Sequence, residues 1–551
     1  MAERDGIPKG SKPMRKTASI AFVVAVGFGL LAATAAGKEP EGGPLAEPLD
    51  ERQLPVTWRN LANERVMFPL DMKDMPVKIG RERQLFLDNY LIAESANVRR
   101  QVQRPRRDKR NPIVTPFVPE GGSPEYRAVA AHVMQFKTSP RFRMWYQSFP
   151  DWHPWRPDEK IRFASSYAVS EDGIHWSKPD LDLHTIKGSG LRNIVIPYGL
   201  MHGVFHEPHE PDPQKRFKAL VCVEARRVRD GNLTREYTIP EGYYLHWSPD
   251  GIHWKGDLTR YIIPSLLRSR GLPQNGVGDT SRFWWDPLRR RYVGDVKFVI
   301  AGQNRCRGIM ESVDLVHWSQ ATPTFLARLD DHQIYGHRGF VYQGMYLGMR
   351  WVYVMGRSKH HSSNVELDCS RDGRTWTRVG AGQPFMDFNP KRDTWDAGKM
   401  RPVAMLEVGE EIWIYYNGKP TDVETGNPAF PESQRVGNCV GLARLPRDRF
   451  ASINGGDQAG RLTTRPIDFH GSRLHVNATV AEGGELRVEI LTHGGKPIAS
   501  YRATDCLPIS GDGIDLPVSW KAGAKLVGLD HSRVRFRFSL KNAKLFSFWV
   551  D

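Results

Sequence analysis

A seven-residue motif, Ser-x-Asp followed four residues later by Trp, constrains the fold of this chain more than any other feature. It occurs as SEDGIHW at 170–176, SPDGIHW at 248–254, SVDLVHW at 312–318 and SRDGRTW at 370–376. Successive copies are 78, 64 and 58 residues apart, and short apolar runs and turn residues fill the intervals. A period of this kind, filled with strands, predicts one blade of a β-propeller for each repeat.

Each motif ends a unit of three predicted strands. The first unit contains YRAVAAHVMQF, FRMWYQSF and FASSYAVS, and the next three units follow the same order. A fifth unit, with KMRPVAMLEV, EIWIYYNGK and NCVGLARL, keeps the strands but ends in PRDRF instead of the motif. From about residue 460 short strands alternate with turns such as HGGK and SGDG, which is typical of a β-sandwich. The sequence therefore predicts an all-β fold, a five-bladed β-propeller followed by a C-terminal β-sandwich.

The N-terminus has the layout of a secretory signal peptide. The basic residues Lys9, Lys12, Arg15 and Lys16 precede an apolar run from Ala18 to Ala36, with a candidate cleavage site at Ala33-Thr34-Ala35. We expect export to the periplasm or the cell exterior, with an uncleaved N-terminal membrane anchor as the alternative. No later segment is predicted to span a bilayer. The predicted organisation is a signal peptide over 1–36, a linker and N-terminal extension over 37–79, the propeller over 80–459 and the sandwich over 460–551.

The acidic residue of the motif has a structural explanation. In a tight turn an Asp side chain caps backbone N–H groups, and the following Gly tolerates a positive φ. The Trp would begin the outermost strand and pack between blades, burying on the order of 200 Å². The motif resembles the Asp-box of sialidases, which is a turn on the rim of the propeller. Catalysis by the motif would require four equivalent sites around a ring, so we look for the chemistry elsewhere.

Charge and cysteine content narrow the range of partners. The formal net charge is +16, and the densest basic segment is RRQVQRPRRDKR at 99–110. This segment is either a solvated loop or a patch that attracts an acidic polymer, such as a sulfated or uronate-containing polysaccharide. No nucleic-acid-binding motif is present, so nucleic acid is not expected as a partner. The five cysteines lie far apart without a Cys-x-x-Cys pair, which argues against a disulfide framework or a zinc ribbon.

Several stretches resemble a group of exported bacterial proteins described as similar to glycoside hydrolase family 32. They are QLFLDNYLIAES, NPIVTP, RFRMWYQS, GDTSRFWWDP and LRVEIL. The propeller followed by a sandwich resembles the layout of family 32, and the propeller alone is similar to those of families 43 and 68. This resemblance covers about residues 80 to 551 and implies a glycosidase with a carbohydrate substrate. The WMNDPNG-like, RDP and EC motifs of family 32 are absent, so no functional residue is carried over from it.

Candidate site residues follow from propeller geometry. The first strand of each blade lines the central channel, and its N-terminal end opens into a shared pocket. Glycoside cleavage needs two carboxyl groups, about 5 Å apart for retention and roughly 6.5–9.5 Å apart for inversion. The catalytic candidates near the strand starts are Asp279 and Asp396, followed by Glu125 and Asp331. The substrate-binding candidates are Arg127, His202, Arg282, His337, Arg338, Arg401, Trp152 and Trp155.

Alternatives remain open for these residues and for the function. Asp279 and Asp396 could only cap turns, and Glu125 could lie in a solvated loop. His202 and His206 lie on one face of a strand and could bind a metal, but neither a metal nor another cofactor is predicted. The leading hypothesis is an exported glycosidase that uses paired carboxylates. The alternatives are a non-catalytic glycan-binding or scaffold propeller, and a sialidase, which would need an arginine cluster and a tyrosine nucleophile around the channel.

Overall fold

The computed structural model describes most of the chain after residue 71. The described residues are 72–117, 125, 128–149, 163–186, 190–223, 227–229, 236–240, 242–264, 277–278, 280–299, 305–325, 332–354, 362–387, 394–420 and 438–551. Their regular structure is almost entirely β-strand. Short 3-10 helices occur at Met72–Asp74, Pro213–Lys215, Val379–Gly382 and Ala499–Tyr501.

Antiparallel meanders form the blades of the propeller. Blade 1 consists of Ala128–Gln135, Phe142–Ser148, Ala164–Ser170 and Ile194–Ile196. Blade 2 consists of Leu200–His206, Phe217–Val223 and Gly242–Ser248, with Lys255–Gly256 and Ile263–Pro264 on its outer edge. Blade 3 consists of Arg282–Asp286, Arg291–Val299, Arg305–Ser312 and Thr322–Phe325. Blade 4 consists of His332–Tyr342, Met345–Val354 and Ser362–Ser370, with Thr377–Arg378 and Pro384–Met386 on its outer edge.

Blade 5 is completed by a strand that precedes blade 1 in the chain. Its first three strands are Lys399–Val408, Glu411–Lys419 and Cys439–Pro446. The outer strand, Arg106–Arg107, pairs with the third of these, and Val114 continues the contact opposite Val440. Closing the ring with strands far apart in sequence covers a sheet edge that would otherwise be open. The predicted five-bladed propeller is confirmed.

The C-terminal sandwich takes strands from both sides of the propeller. Its two long strands, Leu474–Leu491 and Arg535–Val550, pair along most of their length. The other members are Gln84–Leu85, Ile92–Ala96, Val98–Val102, Ala451–Gly455, Gly460–Thr464 and Gly511–Pro517. Two separate pairs are Val77–Lys78 with Ile467–Asp468 and Arg227–Arg229 with Glu236–Thr238. The predicted boundaries at 80 and 460 divide the chain into consecutive segments. Strand pairing instead assigns residues 84–102 and 451–455, which lie inside the predicted propeller segment, to the sandwich. An alternating pattern identifies a strand but not the sheet that it joins.

The four Asp-boxes are turns that follow the third strand of a blade. In the second box, Asp250 Oδ1 accepts hydrogen bonds from the backbone N–H groups of Ile252 and His253, both at 2.9 Å. The same pattern surrounds Asp172, Asp314 and Asp372. Leu315 replaces the motif glycine in the third box and keeps its positive φ, at 67°. The box carboxylates therefore serve as turn caps.

The Asp-box turns also connect neighbouring blades. Trp145 of blade 1 donates its indole N–H to the carbonyl oxygen of Gly251 in the second box, at 2.7 Å. Around the closed ring, the Tyr415 hydroxyl of blade 5 donates to the carbonyl oxygen of Gly173 in the first box, at 2.8 Å. A Cβ at Gly251 would lie 2.7 Å from Cζ2 of Trp145, so glycine is required there. The repeat thus sets contacts between blades as well as the local turn.

Two further observations concern cysteines and membrane segments. All five cysteines are buried, and none of them forms a disulfide. Burial raises the pKa of the Cys439 thiol to about 12, which keeps this thiol protonated and unreactive. In the described part of the chain, no helix combines the length and the apolar character needed to cross a membrane.

Candidate functional site in the propeller channel

The inner strands of four blades carry a β-bulge near the same level of the propeller. The pairing with the second strand shifts at Ala131 in blade 1, His202 in blade 2, Tyr335 in blade 4 and Val403 in blade 5. A bulge interrupts the regular alternation of side chains and often re-aims one at a functional site. The inner strands therefore depart from regular geometry at the level where residues of different blades meet.

A cavity of about 840 Å³ occupies one end of the channel. It is lined by inner-strand residues from all five blades, among them Met134, Val204, Trp284, Phe340 and Met405. These residues lie in the later parts of the inner strands. The first and third strands of a meander run in the same direction, so this end is also the end that carries the Asp-boxes. The starts of the inner strands, where the site was predicted, lie at the opposite end.

Three arginines from consecutive blades approach one another along the channel. They are Arg282 of blade 3, Arg338 of blade 4 and Arg401 of blade 5, and we call them the arginine cluster. Arg282 and Arg338 are only 3% and 4% exposed. Burial, followed by repulsion from Arg401, lowers the pKa of Arg282 to about 10. Burial and the charge of Arg282 lower the pKa of Arg338 to about 9. The channel therefore holds like charges that are poorly solvated.

Arg338 extends across the channel from blade 4 to blade 1. Its Nη2 group donates to Nδ1 of His132 at 3.2 Å, and its Nη1 lies 3.5 Å from the carbonyl oxygen of Ala131. Burial and the charge of Arg338 lower the pKa of His132 well below its usual range, so the imidazole stays neutral and accepts this bond. Blade 5 separates these two blades in the ring, so Arg338 bridges the channel and also lines the cavity.

The other two arginines of the cluster have few hydrogen-bond acceptors. Arg282 Nη1 donates to the carbonyl oxygen of Ser281 at 3.0 Å, and Arg401 Nη2 donates to Oδ1 of Asn438 at 2.7 Å. Within the described residues, the Nε–H groups of Arg282, Arg338 and Arg401 have no hydrogen-bond partner. The cluster thus keeps donor capacity that this part of the protein does not satisfy.

Aromatic and basic side chains lie beside the arginine cluster. The rings of Tyr335 and Tyr353 stack with centroids 4.3 Å apart. The guanidinium of Arg305 lies 5.9 Å and 5.3 Å from these two rings, and the ammonium groups of Lys297 and Lys399 approach them at 5.9 Å and 5.6 Å. Burial and the neighbouring Tyr335 raise the pKa of Tyr353 well above its usual range. Tyr353 therefore offers a neutral hydroxyl group near the cluster.

The two predicted histidines have different surroundings. His202 is buried, and its Nδ1 lies 3.2 Å from the hydroxyl oxygen of Tyr243 in the third strand of blade 2. His337 lies between two carboxylates, with Nδ1 bonded to Asp295 and Nε2 3.6 Å from Oδ2 of Asp368. His337 thus belongs to a buried ion network that joins blades 3 and 4.

Glu125 and Asp396 occupy equivalent positions, three residues before the inner strands of blades 1 and 5. Glu125 Oε2 accepts from Nζ of Lys178 at 3.0 Å. Asp396 Oδ2 accepts from Nε of Arg107 and from the hydroxyl group of Tyr416, both at 2.9 Å. In each case the cation comes from the outer edge of the same blade, so each carboxylate is paired within its own blade. The Oε1 atom of Glu125 is buried without a hydrogen-bond partner in the described structure.

The described structure thus gives the predicted site residues different surroundings. Arg282, Arg338 and Arg401 meet, whereas Glu125 and Asp396 are each tied into their own blade by an ion pair. Five predicted residues lie outside the described residues and stay predictions: Asp279, Asp331, Arg127, Trp152 and Trp155.

Sequence reasoning missed Tyr353, Lys297 and Arg305, which lie on second and third strands. A hairpin places the end of the second strand beside the start of the first, as the pairing of Gln333 with Tyr353 shows. A search restricted to inner strands cannot find such residues. The alternation of polar residues near the ends of the second strands is the signal that could have identified them.

The basic segment at 99–110 is largely committed to internal contacts. Arg100 is buried and donates to the carbonyl oxygen of Phe86 at 2.8 Å. Arg107 pairs with Asp396, and Arg110 pairs with its neighbour Asp108 at 2.8 Å. Arg104, Arg107 and Arg110 of this segment are therefore paired with carboxylates within the fold, unlike the arginine cluster.

Comparisons with known proteins find similarity only among solved structures, since no protein-family model and no curated protein matches the sequence. An N-acetylgalactosamine deacetylase from F. plautii, in complex with blood group B trisaccharide, is 12% identical over 64% of this chain and 96% of its own, with a TM-score of 0.41. A glycosyl hydrolase from Bacteroides ovatus is 10% identical over 67% and 98% of the two chains, with a TM-score of 0.38. A structure of the glycoside hydrolase family 130 of mannoside phosphorylases is 10% identical over 66% and 97%, also with a TM-score of 0.38.

These similar structures are described as enzymes that act on glycans. Their identities and TM-scores are too low to support an argument about function. The fold of this chain therefore rests on its own strand pairing, and the resemblance to families 32, 43 and 68 stays one of layout.

Proposed function

We propose that this protein is an exported glycosidase whose active site lies in the propeller channel beside the arginine cluster. The observation that carries this proposal is the meeting of buried guanidinium groups from neighbouring blades with the stacked tyrosines of blade 4. A concave site that combines directed donors with aromatic faces suits a sugar, since the donors bind hydroxyl groups and the rings pack on apolar C–H faces. Excluding water there strengthens each polar contact.

Hydrolysis requires two carboxyl groups with different protonation states. One donates a proton to the glycosidic oxygen, while the other attacks the anomeric carbon or activates the water molecule that does so. Glu125 and Asp396 are occupied by ion pairs, so the proposal places most weight on Asp279 and Asp331. Asp279 stands three residues before Arg282 in the sequence, and a nearby guanidinium would keep a carboxylate ionised for attack. A less solvated partner would remain protonated and serve as the acid.

The test is sugar release from a broad panel of oligosaccharides and polysaccharides, measured by chromatography of the products. We expect release from at least one glycan, and a loss of about 10²–10⁴-fold in turnover for Asp279→Asn. Asp180→Asn is the matched control, because this aspartate lies on the exposed edge of blade 1, where it pairs with Arg192. If the protein binds a glycan but releases no sugar, and Asp279→Asn leaves binding intact, the non-catalytic glycan-binding alternative replaces the proposal.

A sialidase is the second candidate, and one observation favours it. Arginines and tyrosines both lie along the channel, as a sialidase would require. We would then expect release of sialic acid from sialyllactose and its loss in Tyr353→Phe or Tyr335→Phe. Sialidase activity that survives both substitutions would exclude these tyrosines as the nucleophile.

Export is supported by the basic N-terminus and the apolar run from Ala18 to Ala36. N-terminal sequencing of the protein from fractionated host cells tests this part of the proposal. We expect a mature protein that begins after Ala35, outside the cytoplasm. An intact N-terminus in the membrane fraction would instead indicate the anchor, and an intact N-terminus in the cytoplasm would refute export.

A further inference from the structure

We infer that the arginine cluster is the receptor for a carboxylate group on the sugar, so that the substrate of the proposed site is an acidic glycan. The inference rests on the proposed function in taking the ligand to be a sugar. It adds the chemical group that the channel recognises and the residues that recognise it.

Other buried arginines of blades 3 and 4 are paired with carboxylates. Arg307 is fully buried in blade 3 and donates to Oδ1 of Asp295 at 2.9 Å. Arg350, 3% exposed in blade 4, forms two hydrogen bonds with Asp368, at 2.7 and 3.0 Å. Elsewhere in these blades the fold thus provides a carboxylate for a buried guanidinium, which is the usual requirement for burying a charge.

Arg282 and Arg338 depart from this pattern. Both are more than nine-tenths buried, and neither forms an ion pair with a carboxylate among the described residues. Their described acceptors are the Ser281 and Ala131 carbonyl groups and the neutral ring of His132. An anion that binds from outside the protein would supply the missing negative charge.

The arginine cluster also contains buried hydrogen-bond donors that are not satisfied within the described structure. The Nε–H groups of Arg282 and Arg338 are buried without a partner in the described structure, and Arg338 lines a cavity large enough for a sugar. A guanidinium presents Nε–H and one Nη–H side by side, and this fork matches the two oxygens of a carboxylate. With Arg401 close to Arg282, a single carboxylate could neutralise charge from more than one blade.

A sugar carboxylate can come from two sources, a hexuronate residue or a sialic acid. Both carry the same planar anion, so the cluster alone does not distinguish them. Sodium D-galacturonate, sodium D-glucuronate and N-acetylneuraminate are therefore used as separate probes. Galacturonate methyl ester and galactose are the matched neutral probes, and glucose 6-sulfate tests for a sulfate ester.

Calorimetric titration of the full-length protein at constant ionic strength measures this preference directly. We expect at least one carboxylate sugar to bind at least tenfold more tightly than its neutral counterpart. Arg282→Gln and Arg338→Gln should each remove most of that preference, because each deletes one guanidinium from the cluster. Arg192→Gln is the charge-matched control, since Arg192 pairs with Asp180 and Asp182 on the exposed edge of blade 1 and should leave binding unchanged.

The inference would be overturned if the wild-type protein bound none of the three carboxylate sugars more tightly than the neutral probes, and this comparison does not depend on the folding of any variant. Retention of the preference in both arginine variants would overturn it as well. Tighter binding of glucose 6-sulfate than of every carboxylate would replace the carboxylate by a sulfate ester and so contradict it. Failure of the proposed function is distinguishable, because it would appear as carboxylate binding without hydrolysis of any glycan.

Discussion

Replacing Arg338 by methionine should stabilise the unliganded protein, although it removes a buried polar residue. Burial and the charge of Arg282 lower the pKa of Arg338 to about 9, against an ordinary guanidinium pKa above 12. A difference of one in pKa corresponds to about 1.4 kcal/mol, so the charge costs the fold on the order of 4 kcal/mol. Loss of the contacts with His132 and Ala131 costs about 2 kcal/mol, which offsets part of this gain. The expected net gain in unfolding free energy is therefore about 2 kcal/mol.

Arg350→Met is the matched control, because the same substitution is made at a second buried arginine of blade 4. Arg350 is paired with Asp368 through two hydrogen bonds, and its removal leaves that carboxylate buried without its main cation. Breaking a buried pair in this way costs about 3–5 kcal/mol. The two variants should therefore shift stability in opposite directions.

Thermal unfolding followed by tryptophan fluorescence measures both variants. Arg338→Met should melt a few degrees above the wild-type protein and Arg350→Met several degrees below it. The gain for Arg338→Met should be nearly the same at pH 7 and pH 8, because in this range the guanidinium is protonated in both the folded and unfolded states and the neighbouring His132 is largely neutral in both. A melting temperature lowered in Arg338→Met as much as in Arg350→Met would refute the reasoning, since it would show that the charge of Arg338 is well compensated.

Two further predictions concern contacts around the Asp-boxes. Burial alone would raise the pKa of Glu311, but the hydrogen bond from Arg374 and a second arginine lower it to about 2. Glu311→Gln should therefore lower the free energy of unfolding by about 1–2 kcal/mol at pH 7. This loss should shrink as the pH falls from about 4.5 towards 2, because the wild-type carboxylate becomes protonated. Urea titrations at pH 7 and pH 3 measure it, and an equal loss at both pH values would contradict the prediction. Gly251→Ala should cost roughly 3 kcal/mol, because φ is +82° and the new methyl group would overlap a tryptophan ring of blade 1. Gly409→Ala is the control, because Gly409 has a φ of +62° but open space around it, and it should cost about 1 kcal/mol in the same unfolding assay. If both glycine variants lost the same amount of stability, the overlap of the new methyl group with the tryptophan ring would be relieved.

The blade count was accessible from the sequence because the Asp-box is a local structure. Its hydrogen bonds join residues two or three positions apart, as from Ile252 and His253 to Asp250, so the residues of the motif are sufficient to specify the turn. The strand that closes blade 5 was not predicted, because Arg106–Arg107 pairs with residues more than 300 positions later. Neither the alternation of side chains nor the turn residues indicate which distant strand will be the pairing partner.

The candidate site was predicted only in part, for a related reason. Strand order placed Arg282, Arg338 and Arg401 near the channel, but acidic residues near the strand starts looked equally suitable for chemistry. The structure shows that Asp396 is held by Arg107, a partner 289 positions away that no local pattern could indicate. It cannot be decided from the sequence which charge is neutralised within the fold and which is left for a ligand.

The sequence by itself determined the repeating turns, the strands between them and therefore the five blades, since these depend on short-range hydrogen bonding and side-chain alternation. Only the tertiary structure decided that Arg338 would reach His132, 206 positions away, and that Arg282 would lie beside it. Closing the ring brings blades 4 and 1 to the same channel, where Arg338 is buried beside His132. The poorly solvated charge of Arg338 therefore results from closure of the ring and not from the sequence of any single blade.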